Sequence, residues 1–181
     1  MGQTTSDLSN LPDAFPPYNE GNLYSCEFRQ RLAYFYKKYN VVTDVRGYHK
    51  SKDWGPLKWN QLHVMAIAYP DHPKPCDMSS FQSELKNFVA SLPCQTCVQH
   101  ALNYVTSNPV PMTNSKSVQS WAWIFHNRVT ERIWNQMKEC GHIDYVNENS
   151  PPYFSARQYL DKYPDGQLSE HAFAAWYDVR R

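Results

Sequence analysis

The sequence predicts an all-α protein built around a four-helix bundle that has additional short helices in N- and C-terminal extensions. Apolar residues recur at helical spacing in several segments, prolines separate these segments, and no segment shows a convincing strand pattern. The chain has 181 residues, of which 41% are hydrophobic and 19% are charged. This length and composition are typical of one globular domain with extensions, or at most of two small domains.

The predicted helices follow one another along the chain with short connections. Their approximate ranges are 26–39, 54–69, 78–92, 93–107 and 115–139. Pro56 fits the first turn of the second helix, and Pro70 ends it. Pro93 opens the fourth helix, and either Ser115 or Ser117 is expected to cap the fifth.

Two extensions flank the predicted bundle. Residues 1–46 are expected to form an N-terminal extension, residues 47–144 the core domain and residues 145–181 a C-terminal extension. Prolines interrupt the C-terminal extension, and Ser169–Val179 is predicted to be a small docking helix.

Charge and hydropathy argue against several classes of function. The 18 basic and 17 acidic residues leave a net charge of +1, so no nucleic-acid partner is expected. The apolar run Val64–Tyr69 is far too short to span a membrane. Residues 1–10 are polar, and no secretory signal is expected. The start of the chain fits the N-myristoylation pattern, so membrane attachment is expected only if Gly2 is acylated.

Five cysteines raise the question of redox or metal chemistry. They are Cys26, Cys76, Cys94, Cys97 and Cys140, a set too sparse for a disulfide scaffold and odd in number. Cys94 and Cys97 lie one turn apart at a predicted helix start, where the helix dipole stabilises a thiolate. Disulfide exchange needs such a thiolate with a second thiol nearby. Cys76 falls in a predicted loop and has no evident role.

The spacing of this pair leaves alternatives open. A thioredoxin-like motif would follow a strand, and a c-type haem site would need a histidine directly after the second cysteine. A zinc site needs four ligands. Cys94, Cys97 and His100 could supply three of them, with Cys140 or His126 as the fourth. Redox chemistry, zinc binding and inert cysteines all remain compatible with the pair alone.

Aromatic and imidazole side chains recur on two other predicted helices. Trp59 and His63 are four residues apart and therefore share a helical face. A second such group contains Trp121 together with His126 and Asn127, which are adjacent to each other and begin five residues after Trp121. Each histidine by itself is more often a packing residue than a ligand. Together these groups form a polar, aromatic constellation around a dithiol.

Four motifs then occur in order between Trp54 and Ile133: W-G-P-x-x-W-x-x-L-H, Y-P, L-P-C-x-x-C-x-x-H-A and W-x-x-x-x-H-N-x-V. This arrangement resembles the Erv/ALR sulfhydryl oxidases, and most closely their compact viral branch. The resemblance implies a homodimeric four-helix bundle that holds FAD. It also implies a flavin-linked thiol oxidase, a thiol:oxygen oxidoreductase that forms disulfides in substrate proteins and reduces oxygen to hydrogen peroxide.

The resemblance also implies roles for individual residues. Cys94 resembles the catalytic cysteine that exchanges with substrate, and Cys97 resembles the one beside the flavin. The implied flavin contacts are Trp59, His63, Tyr69, His100, Trp121, His126, Asn127, Val129, Thr130 and Lys138. Thr130 stands where proteins of the family usually have asparagine. They also usually have a lysine near the position that Asn135 occupies here. Lys138 or Arg132 is therefore the expected contact for the FAD phosphates. No metal is implied.

The implied partners are a protein dithiol or small redox carrier, molecular oxygen and a second copy of the chain. Cys26 and Cys140 are candidates for shuttle cysteines or for buried free thiols. The expected location is the host cytoplasm or the virion, where such an enzyme would form disulfides in virion proteins. A zinc-stabilised helical interaction module and a thiol–disulfide carrier without flavin are the competing interpretations.

Overall fold

A computed structural model describes residues 26–168 together with residues 172, 174 and 176. Seven helices follow one another in this part of the chain: α1 (Glu27–Lys38), α2 (Ser51–Ala68), α3 (Pro75–Ala90), α4 (Gln95–Ser107), α5 (Ser115–Glu139), α6 (Ile143–Glu148) and α7 (Ala156–Lys162). These residues contain no strand, which confirms the all-α prediction. Among them, no helix is long and apolar enough to cross a lipid bilayer. Gly2 and its myristoylation pattern lie outside the described residues.

The chain divides into two compact units, the first ending at Val118 and the second beginning at Gln119. Helix α5 starts in the first unit and continues into the second. The predicted boundaries after residues 46 and 144 remain a prediction.

The first unit has an aromatic core between its helices. Helix α1 packs against α2 and α3, and α3 packs against α4. The rings of Phe28, Tyr69 and Phe81 meet edge to face, with centroids 5.2–6.2 Å apart. Helix α2 is buried without interruption over its last two turns, as its nearly continuous apolar sequence requires.

Helix α2 begins earlier than predicted. It starts at Ser51, so that Pro56 lies inside the helix rather than in its first turn. Proline lacks the N–H that would bond to the carbonyl of Lys52. Because Lys52 is exposed, water can satisfy that carbonyl, and the helix tolerates the proline.

Helix α3 also begins earlier, at Pro75, and the prediction that Cys76 lies in a loop without a role is wrong. Asp77 explains the early start, because its carboxylate accepts hydrogen bonds from the backbone N–H groups of Lys74 (2.8 Å) and Phe28 (3.0 Å). One carboxylate thus caps both α3 and α1. Cys76 forms a disulfide with Cys26 at the start of α1, with their Cα atoms 5.8 Å apart. The free-thiol interpretation of Cys26 is therefore also wrong.

Helix α5 has the predicted length but a different cap. Asn114 accepts the backbone N–H of Ser117 at 2.8 Å, so neither predicted serine is the cap. The helix ends at Glu139, and two residues later Gly141 has a φ of 81°, the left-handed conformation that glycine adopts readily. Cys140, just before it, is exposed and carries no disulfide, which excludes the buried-thiol interpretation.

In the second unit, the C-terminal extension packs on α5. Trp123 Nε1 donates to the carbonyl of Phe154 at 2.7 Å, and Gln119 accepts from the Tyr159 hydroxyl at 2.8 Å. Gly166 lies so close to Tyr159 that a Cβ atom would come within 2.6 Å of its ring. Most of the predicted helix 169–179 lies outside the described residues. Trp176, which is described and helical, packs edge to face on Trp123.

Candidate redox and cofactor site

The cysteine pair forms a disulfide at the start of α4. The Cα atoms of Cys94 and Cys97 are 5.1 Å apart. Cys94 is the N-cap residue, and the backbone N–H of Cys97 donates to its sulfur at 3.2 Å. Both cysteines are half-buried and therefore reachable from solvent. A helix N-terminus stabilises negative charge, so this position favours the thiolate form of Cys94 whenever the disulfide opens.

The zinc interpretation finds no support in this geometry. Cys94 and Cys97 are bonded to each other, so neither is a thiolate ligand. Within residues 26–168 and the three further described positions, no group of three or more His, Cys, Asp or Glu side chains could hold a metal ion.

The ten predicted flavin contacts divide between the two units, four in the first and six in the second. In the first unit, Trp59 is half-buried and His63 is fully buried one turn further along α2. His100 lies on α4 and is exposed. Trp59 and His63 precede the cysteine pair in the sequence, and His100 follows it. The role of these residues as flavin contacts remains a prediction.

Tyr69 has a structural role that is visible without any cofactor. Its ring is completely buried against Phe28 and Phe81, and its hydroxyl donates to the carbonyl of Met112 at 2.9 Å. Burial raises the pKa of Tyr69 to about 12, with a smaller contribution from the Asp77 carboxylate. The hydroxyl therefore stays protonated as a donor at neutral pH.

In the second unit, the predicted contacts lie along α5, and two of them touch the C-terminal extension. Asn127 is fully buried, and its side-chain amide is occupied on both atoms: Nδ2 donates to the Phe154 carbonyl at 3.0 Å, and Oδ1 accepts the Phe154 N–H at 2.7 Å. The ring of His126 lies 5.6 Å from the Phe154 ring. Phe154 carries no signal in the motifs and was missed by the sequence analysis.

The protonation state of His126 follows from its surroundings. Burial, with a smaller contribution from the Lys162 ammonium, lowers the pKa of His126 to about 3. The imidazole is therefore neutral at physiological pH, which suits packing against an aromatic ring better than it suits binding an anion.

The remaining predicted contacts on α5 differ in exposure. Trp121 is buried with its ring 5.5 Å from that of Phe125, whereas Val129 is half-buried. The Thr130 hydroxyl donates to the carbonyl of His126 at 3.0 Å, within its own helix.

The candidate phosphate contacts lie in the last turns of α5. Lys138 is exposed, and its ammonium lies 5.2 Å from the centroid of the Trp134 ring. Arg132 lines an open groove of about 370 Å³ on the same helix, together with Arg128 and four other polar or charged residues. None of the ten predicted contacts lines this groove.

Comparison with known proteins agrees with the cysteine geometry. The model of the Erv1/Alr family matches residues 57–149, about half of the chain. The FAD-linked sulfhydryl oxidase of African swine fever virus (isolate Pig/Kenya/KEN-50/1950) is 37% identical over 91 residues, which are 47% of this chain and 76% of that protein. The mitochondrial FAD-linked sulfhydryl oxidase erv1 of Schizosaccharomyces pombe is 28% identical over 106 residues, 56% of this chain and 58% of that protein. The chain therefore belongs to the Erv1/Alr family.

Proposed function

We propose that this protein is an FAD-dependent sulfhydryl oxidase that converts pairs of protein thiols into disulfides and passes their electrons to oxygen, which becomes hydrogen peroxide. The observation that carries the proposal is the Cys94–Cys97 disulfide at the start of α4 in a chain of the Erv1/Alr family. The relatives named above as FAD-linked sulfhydryl oxidases support the same activity.

The chain's own residues account for the thiol chemistry. A substrate thiolate attacks the sulfur of Cys94, the bond between Cys94 and Cys97 breaks, and Cys97 leaves as a thiolate. A second substrate thiolate then attacks the substrate sulfur of this mixed disulfide and releases Cys94. The N–H of Cys97 already points at the Cys94 sulfur and stabilises the negative charge of that leaving group. The product is an oxidised substrate and a reduced cysteine pair.

The side chains implied as flavin contacts have suitable chemistry. Trp59 on α2 and Trp121 on α5 offer flat apolar surfaces, and His63 offers an imidazole one turn from Trp59. Lys138 is a cation able to meet a phosphate. When bound, FAD accepts two electrons from the reduced cysteine pair and is reoxidised by oxygen. The protein supplies the orientation of the thiols and of the ring.

The location and partners extend this proposal. Relatives from African swine fever virus favour a viral protein, and we place its activity in the host cytoplasm or the virion. There, reoxidation by oxygen drives disulfide formation against a reducing thiol pool. The substrate is a virion protein or a small dithiol carrier. The acting form is a homodimer.

A single purification tests the proposal. The full-length protein, expressed in bacteria, is expected to be yellow, to show the visible absorbance of an oxidised flavin, and to consume oxygen when dithiothreitol is added. A Cys94→Ser variant should keep the colour and lose the oxygen consumption. A colourless protein with no oxygen consumption would exclude this function and favour the interaction module or the carrier without flavin.

A further inference from the structure

Lys58 is a buried cation that the thiol chemistry above does not use. It lies on α2 directly before Trp59, and only 2% of its surface is exposed. Its Nζ donates to Gln61 Oε1 and to Ser91 Oγ, both at 2.7 Å, and lies 4.9 Å from the centroid of the Phe88 ring. Burial of an ammonium group is costly unless hydrogen bonds compensate for the lost water. A lysine kept here at that cost suggests a role beyond packing.

The contact with Ser91 attaches Lys58 to the end of α3. Ser91 is the C-cap residue, and its hydroxyl also donates to the carbonyl of Phe88 at 2.9 Å. Its backbone N–H donates to the carbonyl of Asn87 at 3.0 Å. The ammonium therefore lies at the negative end of the α3 dipole, where a cation is stabilising. Through Ser91, α2 holds the last turn of α3 in place.

Only Leu92 and Pro93 separate Ser91 from Cys94. The N–H of Leu92 donates to the carbonyl of Val89 at 3.3 Å, and the ring of Pro93 restricts its own φ. Few torsions are therefore free between the Ser91 hydroxyl and the N-cap of α4. We therefore expect a shift of Ser91 to move the sulfur of Cys94.

We propose that Lys58 is a positioning residue for the redox disulfide: through Ser91 it holds the α3–α4 joint so that the sulfur of Cys94 stays at the N-terminus of α4. Its importance for catalysis rests on the proposed function, whereas its effect on the Cys94 thiolate does not. The role is independent of the implied flavin contacts, none of which takes part in the joint.

The charges around Lys58 keep its ammonium available at neutral pH. Burial lowers the pKa of Lys58 to about 8, and the carboxylates of Glu84 and Asp44 oppose this shift. Glu84 on α3 also accepts hydrogen bonds from Arg29 at 3.0 Å and from Tyr36 at 3.4 Å, both on α1. At pH 7 the amine is thus mainly protonated and can donate to Gln61 and Ser91 together.

The test measures the reactivity of Cys94 rather than turnover. In a full-length Cys97→Ser background, Cys94 cannot re-form its disulfide but keeps the backbone N–H at position 97. The rate of iodoacetamide alkylation at Cys94 is measured by mass spectrometry at pH 7, relative to the exposed Cys140 of the same molecule. The variants are Lys58→Met, Ser91→Ala, both together, and Lys86→Met, which removes an exposed lysine from α3 as the matched control.

We expect Lys58→Met and Ser91→Ala each to slow Cys94 alkylation about twofold to fivefold. This fold-change corresponds to the stabilisation that a helix N-terminus gives to a thiolate. The double variant should be no slower than either single one, because both remove the same contact. Ser91→Thr, which keeps the hydroxyl, should restore the wild-type rate.

Unchanged or faster alkylation in Ser91→Ala, or strictly additive effects in the double variant, would overturn the proposal. If Lys58→Met does not fold, Ser91→Ala decides the matter, because it removes the contact at the joint and leaves the Lys58 ammonium bonded to Gln61. Since alkylation needs neither flavin nor oxygen, a colourless protein would refute the proposed function without affecting this result.

Discussion

Removal of the Cys26–Cys76 disulfide is expected to cost more stability than any surface substitution. The bond joins the start of α1 to the first turn of α3 across a sequence separation of 50 residues. Cross-linking a loop of this length lowers the entropy of the unfolded chain and stabilises the folded state by about 4 kcal/mol at 25 °C. The capping contacts of Asp77 do not involve either cysteine side chain, so we expect the folded structure to be retained and the loss to arise mainly in the unfolded state.

The assay compares Cys26→Ser/Cys76→Ser with Cys140→Ser, which removes only an exposed, unpaired thiol. Urea unfolding followed by far-ultraviolet circular dichroism gives the free energy of unfolding. We expect the double variant to lose about 4 kcal/mol and to melt about 10 °C lower, whereas Cys140→Ser should match the wild type. Native spectra of the three proteins should coincide. If unfolding shows two separate transitions, only the transition of the unit that ends at Val118 should lose stability, because that unit contains both cysteines.

Reduction provides an internal check on the same reasoning. Dithiothreitol also opens the Cys94–Cys97 bond in both proteins, so the wild type in dithiothreitol should have the same stability as the double variant in dithiothreitol. A loss below about 1 kcal/mol in the double variant would show that the unfolded chain is already compact, because the entropic model would then fail. If the urea midpoint of the wild type does not change in dithiothreitol, the Cys26–Cys76 bond does not form.

Further predictions concern the site and its titrating groups. Cys97→Ser should retain flavin but lose dithiothreitol-driven oxygen consumption, and it should trap its partner on Cys94 as a mixed disulfide; wild-type turnover would contradict the mechanism. The pKa of His126 is 6.5 in the unfolded chain and about 3 in the folded protein. Between these two pH values the unfolded chain binds a proton that the folded protein does not, so the free energy of unfolding should decline as the pH falls from 6.5 to about 3. His126→Gln should lack that decline in urea titrations, and an equal decline would refute the assignment. The pKa of Lys58 falls from 10.5 to about 8, so stability should rise as pH increases between these values, and Lys58→Met should lack the rise. Equal slopes in both proteins would mean that the amine is solvated.

Helix positions were largely predictable because the helical period is a local property. The stripe of apolar residues along α5 predicted its length, whereas α4 begins at Gln95, two residues after the predicted start at Pro93. The predicted starts of α2 and α3 were both too late. In α3 the reason is a contact between distant parts of the sequence. Asp77 caps that helix while also binding the N–H of Phe28, a residue 49 positions away, and no local pattern reports such a contact.

The sequence by itself determined that Cys94 and Cys97 lie close together. One helical turn brings two residues three positions apart onto the same side of a helix start, and this effect is local. The tertiary structure alone decided which distant groups meet: Cys26 with Cys76, Lys58 with Ser91, and Asn127 with the backbone of Phe154. Such pairs depend on how helices pack, and packing free energy is shared over many weak contacts that no short motif encodes.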